Sequence, residues 1–360
     1  MLQTLPLVLF IVMAEVSIGA VSVLVFLDWR NEVKRGFLVS YALIYLVLAG
    51  LTYWFQQGFS TPELLNTYPQ LDKAWTGYQS LPLLLFFLLL IPYSFFLLID
   101  KSAGVQNVPE AAPEAVGAEG DDLPSDADAI AAVVYEETAM SEDLSDTAKI
   151  ESGIVPTQNR TIRNLRLLSG AATVVAGLIT LFVMAMIYRP LSAGSLDGFF
   201  TVAGFFAAAF ALGGVLTAMW LGHWYLVTPA LSGRPLQFST SLVLVAIAAQ
   251  VLFFIVGGSA STYANQTHSS TPVITAQATP VAKNEVKPAD APVIAPLSSN
   301  VISWIRVLVG FAMPLILGAL AWKLIRDRSF QSATGMLYLV VVCTLAGEIM
   351  SRGLFVGGLL

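Results

Sequence analysis

Long apolar segments alternate with polar connections along the whole chain. Eight apolar runs reach about 20 residues, the length at which a helix crosses roughly 30 Å of hydrocarbon. Most are apolar around the full helix circumference, as expected where lipid and neighbouring helices form the surroundings. The pattern predicts an all-α integral membrane protein, a bundle of about eight transmembrane helices, with spans at 6–27, 37–55, 81–99, 166–188, 199–226, 238–257, 302–325 and 335–356.

Two long connections interrupt this pattern and divide the chain. Residues 100–162 are acidic and rich in Ala and Pro, and residues 258–300 are rich in Ser, Thr, Pro and Ala. Neither contains enough large apolar side chains to offset the entropy of ordering, so both are predicted to be disordered loops. They separate helices one to three (1–99), helices four to six (163–257) and helices seven and eight (301–360).

The charged residues agree with a membrane protein and predict its orientation. Only 12% of the residues are charged, against about a quarter in soluble domains. Twelve Lys and Arg residues lie in the connections after odd-numbered spans, and four lie in those after even-numbered spans. Since basic loops stay in the cytoplasm, both termini are predicted outside, with the acidic loop 100–162 in the cytoplasm.

The rare residue types exclude several kinds of chemistry. Cys343 is the only cysteine, and His223 and His268 are the only histidines. The chain therefore has no intrachain disulfide and cannot by itself hold an Fe–S cluster or a bis-histidine haem. No metal-ligand spacing, Ser–His–Asp arrangement or basic nucleic-acid face is present. Any redox cofactor would belong to a partner subunit.

Polar residues inside the predicted spans concentrate in their outer halves. A charge at the bilayer centre costs at least ~2.5 kcal/mol, so such residues are candidates for function. His223, in "AMWLGHWYLVTP" near an inner end, is a secondary candidate, for ligand contact or proton uptake; the alternative is an interfacial aromatic belt. The outer candidates for a ligand or proton site are Glu15, Tyr53, Gln56, Gln57, Gln250, Arg306, Glu348 and Arg352.

Glu348 and Arg352 stand four residues apart in the last span, with the acid first, so they share a helix face. One interpretation is an internal salt bridge that only locks this helix to its neighbours. The other is a polar pocket, formed with Glu15 and Arg306, that receives a headgroup or conducts protons. Glu15 is the better candidate for proton transfer because its own helix carries no nearby cation.

The segment around this pair also resembles a known family. "LAGEIMSRGLF" (345–355) contains a Gly-Glu-x-x-x-Arg-Gly helix end, and the segments 5–20 and 197–214 are similar in character to two further family helices. The chain thus resembles the membrane anchor subunit of anaerobic dimethyl sulfoxide reductase, within the polysulfide reductase-like integral membrane group. Residues 347, 348, 352 and 353 of this sequence carry the motif.

This resemblance implies a subunit without cofactors in a bacterial-type cytoplasmic (inner) membrane. It would take electrons and protons from menaquinol or another quinol near the outer face. The electrons would pass to an Fe–S subunit and then to a molybdopterin catalytic subunit. Family members place a histidine at the outer end of the second helix; here Tyr53, Gln56 or Gln57 would stand in for it.

Two other functions agree with the same residues. A secondary transporter or channel could use the intramembrane Glu and Arg cluster, although the lack of a convincing sequence repeat weighs against inverted-repeat transporters. A membrane scaffold could recruit partners through the acidic loop. Whether the chain is itself an enzyme subunit, which quinone it would use and in which direction electrons would flow stay open at this stage.

Overall fold

Eight long helices form the described part of the protein. The computed structural model describes residues 5–101, 103–104, 160–192, 195–227, 232–267 and 304–357, and only the backbone of 195–196 and 257–267. No β-strand occurs among these residues, so the all-α prediction is confirmed. The long helices are α1 (Leu5–Arg30), α2 (Arg35–Phe59), α3 (Ser80–Ile99), α4 (Arg160–Tyr188), α5 (Ser195–Val227), α6 (Arg234–Thr267), α7 (Trp304–Arg326) and α8 (Phe330–Gly357).

All eight helices are long and apolar enough to cross a membrane, which makes the chain a multi-pass membrane protein. Most helices extend beyond the predicted spans; α4 begins at Arg160 rather than at 166, since polar residues can continue a helix outside the hydrocarbon. Most of the two predicted disordered loops lies outside the described residues, but residues 258–267 of the second continue helix α6 instead of forming a loop. In α7 the residues Val307–Ala312 form a π-helical turn, which ends just before Pro314, a residue that cannot donate to the helix ladder.

The helices pack as two rings of four. In the N-terminal bundle each of α1–α4 packs against the next, and α4 closes on α1; α5–α8 form the C-terminal bundle in the same way. Between the bundles α1 packs on α5, with side contacts of α4 to α5 and of α8 to α1. Exchanging α1–α4 with α5–α8 leaves this pattern unchanged. The two bundles are therefore equivalent in which helices are neighbours, a relation that the sequence does not reveal.

Small residues permit the central crossing of α1 and α5. A Cβ atom added to Gly19 would lie 1.8 Å from the carbonyl oxygen of Ala209, and one added to Gly213 would lie 2.1 Å from the carbonyl carbon of Gly19. Such backbone-to-backbone approach is how membrane helices gain packing energy without a hydrophobic driving force. Both bundles are thus joined at positions where only glycine fits.

We expect Gly213→Leu to prevent this crossing, because the new side chain would meet backbone atoms that cannot rotate away. Overpacking costs about 1–3 kcal/mol even where side chains can shift, and more is expected here. The fraction of monodisperse protein after detergent extraction, measured by size-exclusion chromatography, should fall at least severalfold. Gly335→Leu is the control, since a Cβ atom there meets nothing within 4 Å. Equal yields from the two variants would contradict this account.

A buried ionic cluster ties together one end of the N-terminal bundle. Arg166 of α4 places its two terminal nitrogens 3.1 Å from Asp28 Oδ1 of α1 and 2.7 Å from Asp100 Oδ2, just after α3. The hydroxyl of Tyr93 donates to the other oxygen of Asp28, at 3.2 Å. Arg35 donates to the carbonyl oxygen of Asp100, at 3.1 Å. These contacts hold the ends of four helices together.

Candidate functional site

A cavity of about 560 Å³ opens between the four helices of the C-terminal bundle. The eight helices alternate in direction, so both described chain ends lie at the same end of the molecule. We call this end the terminal side. We call the other end, where α1 ends and α2 begins, the opposite side. The cavity is near the terminal side, because its walls come from the starts of α5 and α7 and the later parts of α6 and α8. Its polar side chains are Ser192, Asp197, Thr201, Gln250, Arg306, Glu348, Ser351 and Arg352.

The remaining walls of the cavity are mainly aromatic. Phenylalanine rings come from every helix of the C-terminal bundle, including the π-helical turn of α7, which carries Phe311. A cavity of this size, with flat apolar walls and a few polar groups, has the character of a small-molecule site. The five rings are those of Phe200, Phe253, Phe254, Phe311 and Phe355.

Arg352 binds two carboxylates at the boundary between the bundles. Its Nε lies 3.0 Å from Glu348 Oε1, one helical turn earlier in α8, and its Nη2 donates to Glu15 Oε1 of α1. The guanidinium also lies over the ring of Phe205, 4.0 Å from the ring centre. We call Glu15, Glu348 and Arg352 the ion triad. The i,i+4 pair seen in the sequence is therefore present, and its arginine also reaches a different bundle.

The ion triad has two acids for one base, and its members differ in their access to the cavity. Glu348 and Arg352 line the cavity, whereas Glu15 is fully buried behind Arg352. Glu15 Oε2 has no hydrogen-bond partner among the described residues. With both carboxylates ionised the triad carries one net negative charge, so a single proton on either acid neutralises it. This stoichiometry allows the triad to take up and release one proton beside the cavity.

Arg306 lines the cavity without an ion pair to any described residue. Its guanidinium lies 5.0 Å from the ring centre of Phe254 and 5.5 Å from that of Phe311, so aromatic faces provide its main neighbours. Its Nε is buried and donates to no described group, and the same holds for Nε2 of Gln250. Buried donors without partners cost about 1–3 kcal/mol each, which a ligand with acceptor oxygens would recover.

The residues on α2 that were predicted to replace the family's histidine lie away from the cavity. Tyr53, Gln56 and Gln57 are at the terminal side but belong to the N-terminal bundle, and none of them lines the cavity. Gln56 is buried and donates through Nε2 to Ser80 Oγ at 3.1 Å, while its Oε1 accepts from Gln57 Nε2 at 3.0 Å. These amides connect α2 to the start of α3.

His223 also lies apart from the cavity. It is exposed in the part of α5 that reaches the opposite side of the molecule. In the same segment Trp220 packs on Tyr41 of α2 and Trp224 packs on Phe37 of α2. The structure thus groups Gln250, Arg306, Glu348 and Arg352 around one cavity, places Glu15 directly behind it and leaves the other candidates outside.

Sequence reasoning missed the α5 wall of the cavity. Asp197, Phe200, Thr201 and Gly204 all line it, and their spacing puts them on one helix face. Asp197 Oδ1 is buried without a hydrogen-bond partner among the described residues. The signal was present in the sequence: an acid at the start of an apolar helix, with polar or small residues repeating at helical spacing.

No group of three or more His, Cys, Asp and Glu residues in the described ranges could hold a metal ion. No protein-family model, curated protein or solved structure matches the chain. The function must therefore be inferred from the α5–α8 cavity and the ion triad.

Proposed function

We propose that this chain is the quinol-reacting membrane subunit of a respiratory oxidoreductase complex, of the kind that anchors anaerobic dimethyl sulfoxide reductase. The observation that carries the proposal is the cavity within the membrane-spanning helices. It combines aromatic walls, the ion triad, and two buried donors, Arg306 Nε and Gln250 Nε2, that have no hydrogen-bond partner among the described residues. A quinol ring is flat, apolar on its faces and polar at two opposed oxygens, so it matches these three elements.

The roles of the side chains follow from their chemistry. Phenylalanine faces pack against the ring, and Arg306 and Gln250 donate hydrogen bonds to one ring oxygen. Glu348 accepts a hydrogen bond from the hydroxyl at the other end of the ring. The volume of about 560 Å³ lies within the range of about 300–1,000 Å³ that small-molecule sites occupy. The isoprenoid tail would leave the bundle between helices toward lipid.

The reaction removes two electrons and two protons from the quinol. Both O–H bonds break and the ring becomes a quinone; the electrons pass to an Fe–S partner subunit on the terminal side, which acts as the oxidant. One proton passes to Glu348 and the triad, and the other to water at the cavity mouth. A molybdopterin subunit beyond the Fe–S subunit would use the electrons. The distribution of Lys and Arg supports a terminal side that faces outward.

Binding of a fluorescent hydroxyquinoline N-oxide, a quinol analogue, to the purified protein in lipid nanodiscs tests this function. We expect saturable binding that Arg306→Leu weakens about tenfold or more, since a charge-assisted hydrogen bond contributes roughly 1.5–3 kcal/mol. Arg326→Leu is the matched control, at the opposite end of the same helix. Equal affinities of the two variants, or no saturable binding by the unsubstituted protein, would reject the quinol site.

The same preparation separates the proposed function from the transporter and scaffold alternatives. Uptake of an anion into proteoliposomes by this chain alone, with no partner subunit, would favour a transporter that uses Arg306 as its anion contact. The scaffold alternative depends on the acidic loop 100–162, nearly all of which lies outside the described residues. Copurification of an Fe–S subunit would support the quinol function over both.

A further inference from the structure

The exchange of the two bundles relates two seams between them. At the seam where α2 meets the C-terminal bundle, side chains of α2 and α5 pack together: Tyr41 packs on Trp220 with ring centres 5.3 Å apart, and the Tyr45 hydroxyl lies 3.1 Å from Thr217 Oγ1. At the equivalent seam, between α4 and α6, there is a crevice of about 540 Å³, toward the opposite side.

The α4/α6 crevice is lined almost wholly by hydrocarbon. Val25 and Phe26 of α1, Ala171 and Val174 of α4, and Phe210 of α5 form its floor and walls. The Ser22 hydroxyl in the lining already donates to the Ile18 carbonyl, at 2.7 Å. A space with no polar partners does not hold ordered water.

The crevice opens to the outer surface of the bundle. Trp29 and Val175, which both line it, are 63% and 55% exposed. At this depth the surroundings are lipid rather than water, so an apolar chain can enter from the side. Trp29 lies at the last turn of α1, where amphipathic rings commonly meet the headgroup region.

We infer that the α4/α6 crevice binds an anionic diacyl phospholipid, with an acyl chain in the crevice and the phosphate at an arginine cluster above it. Three of the four surrounding helices carry an arginine one turn beyond a lining residue: Arg30 follows Phe26, Arg163 precedes Leu167 and Arg234 precedes Phe238. A spacing of four residues puts each arginine on the crevice face of its helix.

The geometry of the mouth supports this occupant. Phe26 of α1 stacks on Phe238 of α6 with ring centres 4.7 Å apart, and the Arg30 guanidinium lies 5.9 Å and 5.8 Å from those two rings. Arg30 shares its charge with Glu32 through a 3.0 Å Nε contact, and Arg163 also interacts electrostatically with Asp28, so the three arginines together supply the positive charge for a ligand. Guanidinium groups bind phosphate oxygens in bidentate fashion, which favours a phosphodiester over a neutral headgroup.

This site is separate from the proposed quinol site, since the crevice lies toward the opposite side and shares no lining residue with the α5–α8 cavity. Its contribution would be to join the bundles where their own side chains leave a gap. The bound lipid would act as a structural component of the α4/α6 seam, beside the stacked rings of Phe26 and Phe238.

Native mass spectrometry of protein exchanged into mixed phosphatidylglycerol and phosphatidylethanolamine nanodiscs tests the inference. We expect one phosphatidylglycerol to be retained after detergent transfer, and the Arg163→Gln/Arg234→Gln variant to retain it at least fivefold less often. Arg326→Gln/Arg328→Gln is the control, with the same charge change on the same side but on the connection from α7 to α8. Ala171→Phe, which fills the crevice without changing charge, should also displace the lipid.

Three results would overturn the inference: equal retention of the neutral and anionic lipids, equal loss in the control variant, or recovery of a quinone instead of a phospholipid from the protein. Binding of the hydroxyquinoline N-oxide should be unchanged in Arg163→Gln/Arg234→Gln. Loss of lipid with analogue binding intact would therefore support the crevice whether or not the quinol proposal holds.

Discussion

Replacing Arg352 with leucine should lower quinol-dependent electron transfer at least a hundredfold and also destabilise the protein. Arg352 is the only base in the ion triad, so the substitution leaves Glu15 fully buried without its cation and Glu348 without its i,i+4 partner. Removing one partner of a buried ion pair costs about 3–5 kcal/mol. If about 3 kcal/mol of this appears in the barrier for quinol oxidation, the rate falls roughly a hundredfold, since 1.4 kcal/mol is tenfold.

The measurement is reduction of the copurified Fe–S subunit by a menaquinol analogue in detergent, beside the thermal unfolding midpoint of the same sample. A second variant separates activity from stability. Glu15→Gln/Arg352→Leu removes the unpaired buried acid, so its stability should recover while electron transfer stays low. Recovery of both quantities in the double variant would show that the ion triad only holds the bundles together. Arg352→Lys, which keeps the charge, should retain stability and part of the activity.

The second large effect is expected at the other end of the molecule, in the Arg166 cluster. Arg166→Leu leaves the Tyr93 hydroxyl as the hydrogen-bond donor to the Asp28 side chain among the described residues, with Arg163 acting only through its charge. Both aspartates are nearly inaccessible to solvent. We expect a loss of about 3–5 kcal/mol in the free energy of unfolding, for the reason given for buried pairs above. Titration of the purified protein with dodecyl sulfate in mixed micelles measures this free energy.

A control variant on the same helix tests whether the burial of Arg166 causes this loss of stability. Arg160 is exposed at the first turn of α4, and no ion pair joins it to a described residue. Arg160→Leu should change stability by less than about 1 kcal/mol, as for surface charges in general. Comparable losses from the two variants would mean that the Arg166 cluster contributes no more than a surface arginine, contrary to its burial.

The number and position of the helices could be predicted because lipid imposes a simple rule. Every backbone group must be satisfied within a span, so a run of about 20 apolar residues has few alternatives to a helix. The Glu348–Arg352 contact could be predicted for a related reason, since four residues along a helix fix their spacing. Both inferences use only interactions that are local in the chain.

The contacts between helices could not be predicted in this way. Glu15 was singled out by its depth, but its partner Arg352 is 337 residues away in the sequence, and nothing local indicates the pairing. The crossing at Gly19 and Gly213 and the α4/α6 crevice depend likewise on which helices are neighbours. Gln56 was singled out by its depth as well, and its amide connects α2 to α3 outside the cavity.

The separation of Glu15 and Arg352 along the chain also bears on how the protein is made. Glu15 is synthesised 337 residues before Arg352, the cation that contacts it among the described residues. At about 5–20 residues per second, synthesis leaves the acid without this partner for tens of seconds. An isolated acid at this depth costs roughly 2.5–3.5 kcal/mol, so α1 is destabilised until α8 arrives. Pairing of the two residues therefore requires α8 in the membrane, and a chain truncated before α8 would expose an uncompensated acid to the quality-control proteases of the membrane.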